Sequence, residues 1–580
     1  MFKKLIKQIF NLIESLKKSS RRFPETILVA FGVVIVGIIL NHTDYNQTET
    51  LETFRKMLLA LILGIPIYSA GKLVVEKFNL TVLYRVIMDV GFAIFLVIYY
   101  YVMPEDINGE FMIKFMLLNI SFYLLFSLIP YMFKRENYSR YILNIITNLF
   151  ITLLFSLVLY LGINAIVFTV EELFELNFDN DIYFDLFIVI AGLFSVTHFL
   201  GSVLPIEKDI DNEYYPPVWR ILFVYIVLPL LSVYTAILYA YFVRLLIIKE
   251  FPINILGHLV VWYGLISVII LFFINRIKSN NAYTQLFYKY FPVAIMLPLA
   301  MLFVAIGSRI AEFGLTPPRY FVVISGLWIF GSMIYIFFSK SFKSTILVMS
   351  AIVVLLISAY GPQSAFSLSI NNQNNRFEVL LMELNMLKND NIVPRSDLSE
   401  EEKKDINEFI RYFDRNHSFD GVRVLPEDFE YKNMQETFGF EYSYYYPKSR
   451  TDINYFYDKE VLIVDIKSFD YLADIFLDFR NDFILETEGI SVEFDKNDKL
   501  IRIFIEEEVV AKIDLIQFIE DFDSRQNGQQ PQTIDDVTVK MEFEKIQVEF
   551  IVLNLFYEPK EKNVDIDYGS MQFRMFIRIK

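Results

Sequence analysis

STILVMSAIVVLLISAYGPQSAFSLS, residues 344–369, is where this sequence changes character. Residues 344–361 contain no Asp, Glu, Lys or Arg, and a Gly-Pro pair at 361–362 ends the run. A hydrocarbon layer about 30 Å thick calls for a helix of roughly 20 such residues, because the segment must satisfy its own backbone polar groups. Ten similar runs precede it, at about 24–42, 57–75, 85–103, 111–133, 141–168, 184–204, 221–247, 254–275, 288–307 and 319–338. None follows it. The expected fold is an α-helical polytopic membrane bundle of about eleven transmembrane helices, followed by a soluble α+β domain.

Composition agrees with that division. The 580 residues are 55% apolar and 21% charged, with mean hydropathy +0.41, so the two classes must be segregated along the chain. Residues 363–580 carry 26 Lys and Arg against 45 Asp and Glu, a net of −19; the first 362 carry 27 against 23, a net of +4. Three parts are expected: a basic cytoplasmic amphipathic segment at 1–23, a multi-span domain at 24–362, and an acidic extracytoplasmic α+β domain at 363–580. There is no cysteine, which excludes disulfides, thiolate metal sites and cysteine nucleophiles. The opening MFKKLIKQIFNLIESLKKSSRR (1–22) lacks an apolar core with a small-residue cleavage site and so is not a cleaved signal peptide. Its apolar residues, from Phe2 to Leu16, recur at helical spacing. That pattern suits an interfacial helix on anionic lipid or a basic topology anchor.

Basic residues in the connections set the orientation. With a cytoplasmic N-terminus, twenty fall on inner segments, among them Lys72, Lys77, Arg85, Arg140 and Arg276. Seven fall on outer ones: Arg55, Lys56, Lys114, Arg244, Lys249, Arg309 and Arg319. The outer loop TVEELFELNFDNDIYFD (169–185) has no basic residue at all. An odd number of spans then leaves the C-terminal domain outside, and an even number returns it to the cytoplasm. The side of that domain depends on one helix.

Beyond residue 362, NRFEVLLMELNMLKND (375–390) carries an amphipathic stripe of Phe377, Leu380, Leu381, Leu384 and Leu387. Ser399 with Glu402 predicts a capping box opening the next helix. Strand patterns follow in INYFYDKEVLIVDI (453–466) and in ISVEFDKNDKLIRIFIE (490–506), the latter a hairpin through a DKND turn. DLIQFIEDFDSRQ (514–526) reads as a helix, NGQQPQ (527–532) as a polar loop, and VTVKMEFEKIQVEFIVLNLFY (537–557) and SMQFRMFIRIK (570–580) as closing strands. A part of this length can enclose its own core.

Four short stretches, RFPETILVA (22–30), YTAILYAYFVRLLI (234–247), RIAEFGLTPPRY (309–320) and GPQSAFSLS (361–369), together resemble one family of bacterial polytopic membrane proteins. That family is catalogued as domain of unknown function forty-one fifty-three. Tyr234, Tyr239 and Tyr241 look like its tyrosine-marked span, and VPRSDLSEEEKKDINEFIRYFDRNH (393–417) resembles an extension that some members carry. One departure stands out: FPINILGHLVVW (251–262) replaces the family's proline–lysine–glycine–tryptophan turn. The resemblance implies a membrane domain with an accessory domain and carries over no catalytic residue. The expected location is a bacterial cytoplasmic membrane, and the basic-residue pattern with eleven spans places the N-terminus in the cytoplasm and the C-terminal domain outside it.

Polar residues inside spans are costly in lipid and are the first candidates for function. Asp89 lies four residues from Arg85 and fits an i, i+4 pair or an ion-linked carboxylate. Asn144 and Asn148 share a helical face; with Asn119 and Asn164 they suit hydrogen bonds between helices or a hydrophilic path. His198 and His258 have no second ligand at metal spacing, so a hydrogen bond to a neighbouring helix is the simpler role. In RIAEFGLTPPRY, Arg309 and Glu312 can pair three apart, Gly314 suits a left-handed helix terminus, and Pro317 and Pro318 suit a helix start. Arg319 then opens the next span, and the stretch reads as a tight junction or as a clamp for an anionic group. No phosphate loop, dinucleotide fingerprint, zinc helix or serine elbow occurs, so no catalytic residue, cofactor or metal ligand is assigned.

The expected role is a non-enzymatic envelope protein presenting an extracytoplasmic domain to a small ligand or another envelope protein. Its alternative is a transporter or channel through the bundle. The bilayer is the expected partner, and the acidic soluble part would repel nucleic acid.

Overall fold

The computed structural model describes residues 17–43, 48–105, 107–132, 137–174, 178–179, 181–206, 215–248, 256–278, 281–339, 342–388, 391–426, 428–442, 453–456, 469–487, 489–506, 508–526, 533–557 and 569–580. Most of the N-terminal amphipathic segment, the 457–466 part of the first strand stretch and the loop at 527–532 lie outside the described residues. The chain forms two compact units, Met1–Tyr442 and Ser443–Lys580.

Among the described residues, ten helices of the first unit are long and apolar enough to cross a membrane: α1 Pro24–Asn41, α2 Thr48–Phe78, α3 Val82–Val102, α4 Gly109–Tyr131, α5 Tyr138–Phe174, α6 Asp181–Ser202, α7 Pro217–Arg244, α8 Gly257–Ile274, α9 Ala282–Phe313 and α10 Pro317–Phe338. The eleventh, α11 Ser344–Ala359, has 16 residues, which is about 24 Å of helix. These are the eleven runs read from the sequence. Local chemistry fixes several starts. α1, α7 and α10 open on prolines, where the missing N–H would have had no helical partner. Asn108 caps α4 by accepting the Phe111 N–H at 2.9 Å. Pro292 interrupts α9, which resumes after Ile295. Only Leu96 of α3 is buried. A helix so apolar and so exposed has lipid as its solvent, and the chain is a multi-pass membrane protein.

Contacts sort the helix ends into two groups. At the first end, Arg22 clasps Glu76 at the end of α2 with two hydrogen bonds of 2.8 and 3.0 Å. Arg22 also donates to the carbonyl of Leu204, just past α6. Lys77 donates to Pro130 in the last turn of α4, and Arg85 at the start of α3 pairs with Glu25. At the second end, Asn41 and His42 reach Asp185 in the first turn of α6. The eleventh helix connects the ends. Tyr335, near the end of α10, accepts the Lys343 N–H at 2.9 Å just before α11. Tyr320, at the start of α10, donates to the Gln363 carbonyl at 2.8 Å just after α11. Trp328 donates to Ser350 midway. α11 therefore traverses the depth of α10 in the opposite direction and delivers residue 363 to the second end.

There the chain does not become a separate domain. α12 (Ala365–Glu383) and α13 (Glu400–Asn416) build a core of Phe377, Leu381, Ile406, Ile410 and Phe413 inside the first unit. The expected capping box is present at Ser399 and Glu402. The Ser399 hydroxyl, and then its backbone N–H, hold the Glu402 carboxyl below the usual range. Compact packing thus breaks at Tyr442/Ser443, some eighty residues beyond the end of α11.

The second unit is α+β. β1 (Ile453–Phe456), β2 (Tyr471–Asp478), β7 (Thr538–Glu542), β8 (Ile546–Tyr557) and β9 (Gly569–Ile579) form one antiparallel sheet ordered β1-β8-β9-β2, with β7 also pairing β8. β3 (Phe483–Thr487), β4 (Ile490–Asp495), β5 (Leu500–Ile505) and β6 (Glu508–Asp514) form a meander. The expected hairpin is β4–β5. α14 (Leu515–Gln526) buries Leu515, Phe518, Ile519 and Phe522, with Phe518 against Phe550 of β8.

Candidate functional site

The intramembrane polar residues lie mainly on one face of α5 and are tied across helices. Asn148 donates to Asn144 at 3.0 Å and to the Ser202 carbonyl of α6 at 3.4 Å. Thr147 accepts from Trp219 of α7, Thr152 meets His198 Nδ1 at 2.7 Å, and Ser156 meets Ser195 at 2.7 Å. Ser195 closes a π-helical turn, Ile190–Ser195, whose extra residue sets its hydroxyl 2.9 Å from the Ile190 carbonyl. A second π turn, Ile221–Val227, lies in α7. Asn119 and Asn164 donate back to their own helices, to Phe115 and Tyr160. His198 thus has the neighbouring-helix bond expected of it, while Thr152, Ser156 and Ser195 were not singled out beforehand. Their signal was the four-residue spacing Asn144, Asn148, Thr152, Ser156.

Asp89 lies at the first end. Its carboxylate is 3.8 Å from Arg85 Nε, the expected i, i+4 partner, while Arg85 makes its closer contact to Glu25. The arrangement closes α1 against α3.

The stretch 309–320 lies at the second end, and the structure gathers most of the remaining candidates around it. Gly314 ends α9 with φ +73, a left-handed value that side chains resist. A Cβ there would fall 2.6 Å from Arg376 Cδ and 2.6 Å from Gln373 Nε2, so only glycine lets α12 approach. α12 then satisfies the open backbone of the turn. Asn372 accepts the Leu315 N–H at 2.7 Å. Gln373 donates to the carbonyls of Phe313 and Leu315, and Arg376 to that of Glu312 at 2.8 Å. Arg319 folds back to the carbonyls of Phe313 and Gly314, at 3.0 and 2.6 Å, and its guanidinium covers the Phe313 ring. A cation at a helix C-terminus faces the negative end of the helix dipole. Arg309 and Glu312 do not pair: among the described residues neither has an opposite charge within ion-pair distance, and Arg309 Nε is buried without a hydrogen-bond partner.

A cleft of about 750 Å³ opens beside this turn, between the end of α9, α12 and α13. Arg319 and Arg376 line it with Asn375 and Tyr412, and so do Glu312, Glu383, Asp405 and Glu408. Arg309 lies within electrostatic range of Arg319. A second tie secures the same end: His417 Nδ1 lies 3.7 Å from Glu110 at the start of α4, and Tyr412 meets His417 Nε2 at 3.1 Å. Arg376 and Tyr412 were missed because they lie outside the apolar runs. The polar run NNQNNR (371–376) in the middle of α12 was the available sign.

The family model described as domain of unknown function (DUF4153) matches residues 26–373. The chain belongs to that family. The match covers α1 through the first half of α12, so the turn at 309–320 lies within the matched region and Arg376 and α13 lie beyond it. Uncharacterized protein PM1469 of Pasteurella multocida (strain Pm70) is 23% identical over 351 residues, or 59% of this chain. The chain spans 57% of the length of that relative. No solved structure matches.

Proposed function

We propose that this DUF4153 member is a non-enzymatic protein of the bacterial cytoplasmic membrane that holds a binding portion on the extracytoplasmic side. The observation that carries this reading is the path of α11. It brings residue 363 to the end of the bundle opposite Arg22, while the basic residues of the connections collect at the Arg22 end, the end expected in the cytoplasm. The portion so presented begins with α12 and α13, gripped by the turn at 309–320, and its cleft is the binding site for a ligand or a protein partner.

Single cysteines test this in a cysteine-free chain. Asn375→Cys should react with an impermeant maleimide in intact cells, and Lys18→Cys only after lysis. The reverse pattern, or equal labelling of both, overturns the reading. A transport reading draws on one observation, the two π turns beside the polar face of α5. It requires Ser195→Cys to react with a small water-borne thiol reagent, whereas the sealed bundle favoured here leaves that thiol unreactive.

A further inference from the structure

The charges of the junction cleft are unusual for what they do not do. An arginine has five N–H donors. Arg319 uses one nitrogen on two carbonyls, and Arg376 uses one nitrogen on one carbonyl. The same cleft is lined by Glu383, on α12 seven residues beyond Arg376, by Asp405 and Glu408 of α13, and by Glu312 at the end of α9. Among the described residues none of these carboxylates lies within ion-pair distance of a basic side chain. Guanidinium and carboxylate groups thus line one space without forming ion pairs among the described residues. Arg309 is near enough to Arg319 to act on it electrostatically, although it does not line the cleft. The lining also includes the apolar side chains of Phe313, Val379, Leu380 and Phe409. Phe313 ends one membrane-spanning helix and Arg319 lies in the first turn of the next, so the cleft opens at the rim of the bundle, where long cationic side chains commonly meet lipid head groups.

We infer that this cleft binds a phosphate ester that carries a primary ammonium, its phosphate on Arg319 and Arg376 and its ammonium on Glu408, Asp405 and Glu383. Guanidinium groups match phosphate oxygens two at a time, and a primary ammonium offers three N–H donors to carboxylates. A purely anionic ligand would meet the carboxylates unfavourably, and a purely cationic one the arginines. The chemistry is that of an ethanolamine phospholipid head group or of its soluble glycerophosphodiester. The inference names the ligand for the binding portion proposed above and rests on that reading for its purpose, although not for its geometry.

The test uses the full chain purified in a neutral detergent, with bound lipid counted by native mass spectrometry. Phosphatidylethanolamine, phosphatidylcholine and phosphatidylglycerol are offered at equal concentration, with glycerophosphoethanolamine as a separate arm. The ethanolamine lipid should be retained at least fivefold over both others, because choline has no N–H and glycerol no charge. Arg376→Gln and Glu408→Gln should each lower retention about fivefold or more. Glu408 makes no contact that supports the turn, so its variant keeps the test valid if Arg376→Gln loosens α12. Retention of the soluble diester alone supports the same chemistry from a soluble source. Equal retention of the three lipids with no soluble binding, or ethanolamine selectivity untouched by Glu408→Gln, overturns the inference. Reversed cysteine labelling with selective retention would remove the topology and leave this site standing.

Discussion

The polar face of α5 and the junction cleft treat their polar side chains oppositely. Along α5, Asn148, Thr152 and Ser156 each find a partner on α6, and Thr147 finds one on α7. At the junction, the backbone of the turn is satisfied by α12, while Glu383, Asp405 and Glu408 and most donors of Arg319 and Arg376 stay open to the cleft. Lipid explains the contrast. A polar group facing hydrocarbon has no solvent partner, so it bonds to another helix or, like Asn119 and Asn164, back to its own. A charge at the interface keeps water as a partner and can be left for a ligand. Polar residues deep in the bundle therefore report how helices are glued, and those at its rim are the ones proposed above to bind.

Gly314→Val should produce the largest effect. It imposes a side chain on a left-handed φ and drives a Cβ into Arg376 and Gln373. A penalty of about 1–3 kcal/mol is expected from the backbone alone, seen as new protease cleavage between residues 384 and 399 with the membrane helices intact. Unchanged cleavage would mean that the turn does not hold α12. Ser399→Ala removes the capping box of α13 and should cost about 1 kcal/mol, read as a lower melting temperature and faster hydrogen exchange over 400–405. An effect spreading into α5 would break the separation of the two regions.

Thr152→Val leaves His198 Nδ1 without its partner and should cost about 0.6 kcal/mol, the typical value for a bond between membrane helices. Binding at the cleft should not change. The smallest effect belongs to the second unit. Hydrogen bonds from the Arg480 side chain, and then from its backbone N–H, hold the Asp478 carboxyl down to about 2. Its folded value is depressed, so its contribution is complete above the unfolded carboxylate range near roughly 4 and is lost as pH falls through about 2. Pepsin resistance of residues 471–505 should fall between pH 4 and 2, and Asp478→Asn should flatten that fall.

Much of this was legible in the sequence because the bilayer imposes a simple length rule. All eleven runs became helices, and the Ser399 box, the β4–β5 hairpin and the Asn144–Asn148 pair followed from spacing alone. The packing of residues 363–442 with the bundle did not, since it depends on Gln373 and Arg376 reaching carbonyls some sixty positions earlier. Composition marks where lipid ends, not where contacts end. Arg309 and Glu312 illustrate the same limit: a three-residue spacing permits a pair, but the carbonyls exposed by Gly314 draw Arg319 and Arg376 to the turn instead.

The central claim is that the deep polar groups build the bundle and the rim charges bind. It is tested most directly by the melting temperature of the full chain in detergent, with and without phosphatidylethanolamine, for Thr152→Val and Glu408→Gln. Thr152→Val should melt lower and keep the full lipid-induced shift; Glu408→Gln should melt as the native chain does and lose most of that shift. The opposite assignment, or two variants that behave alike, would contradict it.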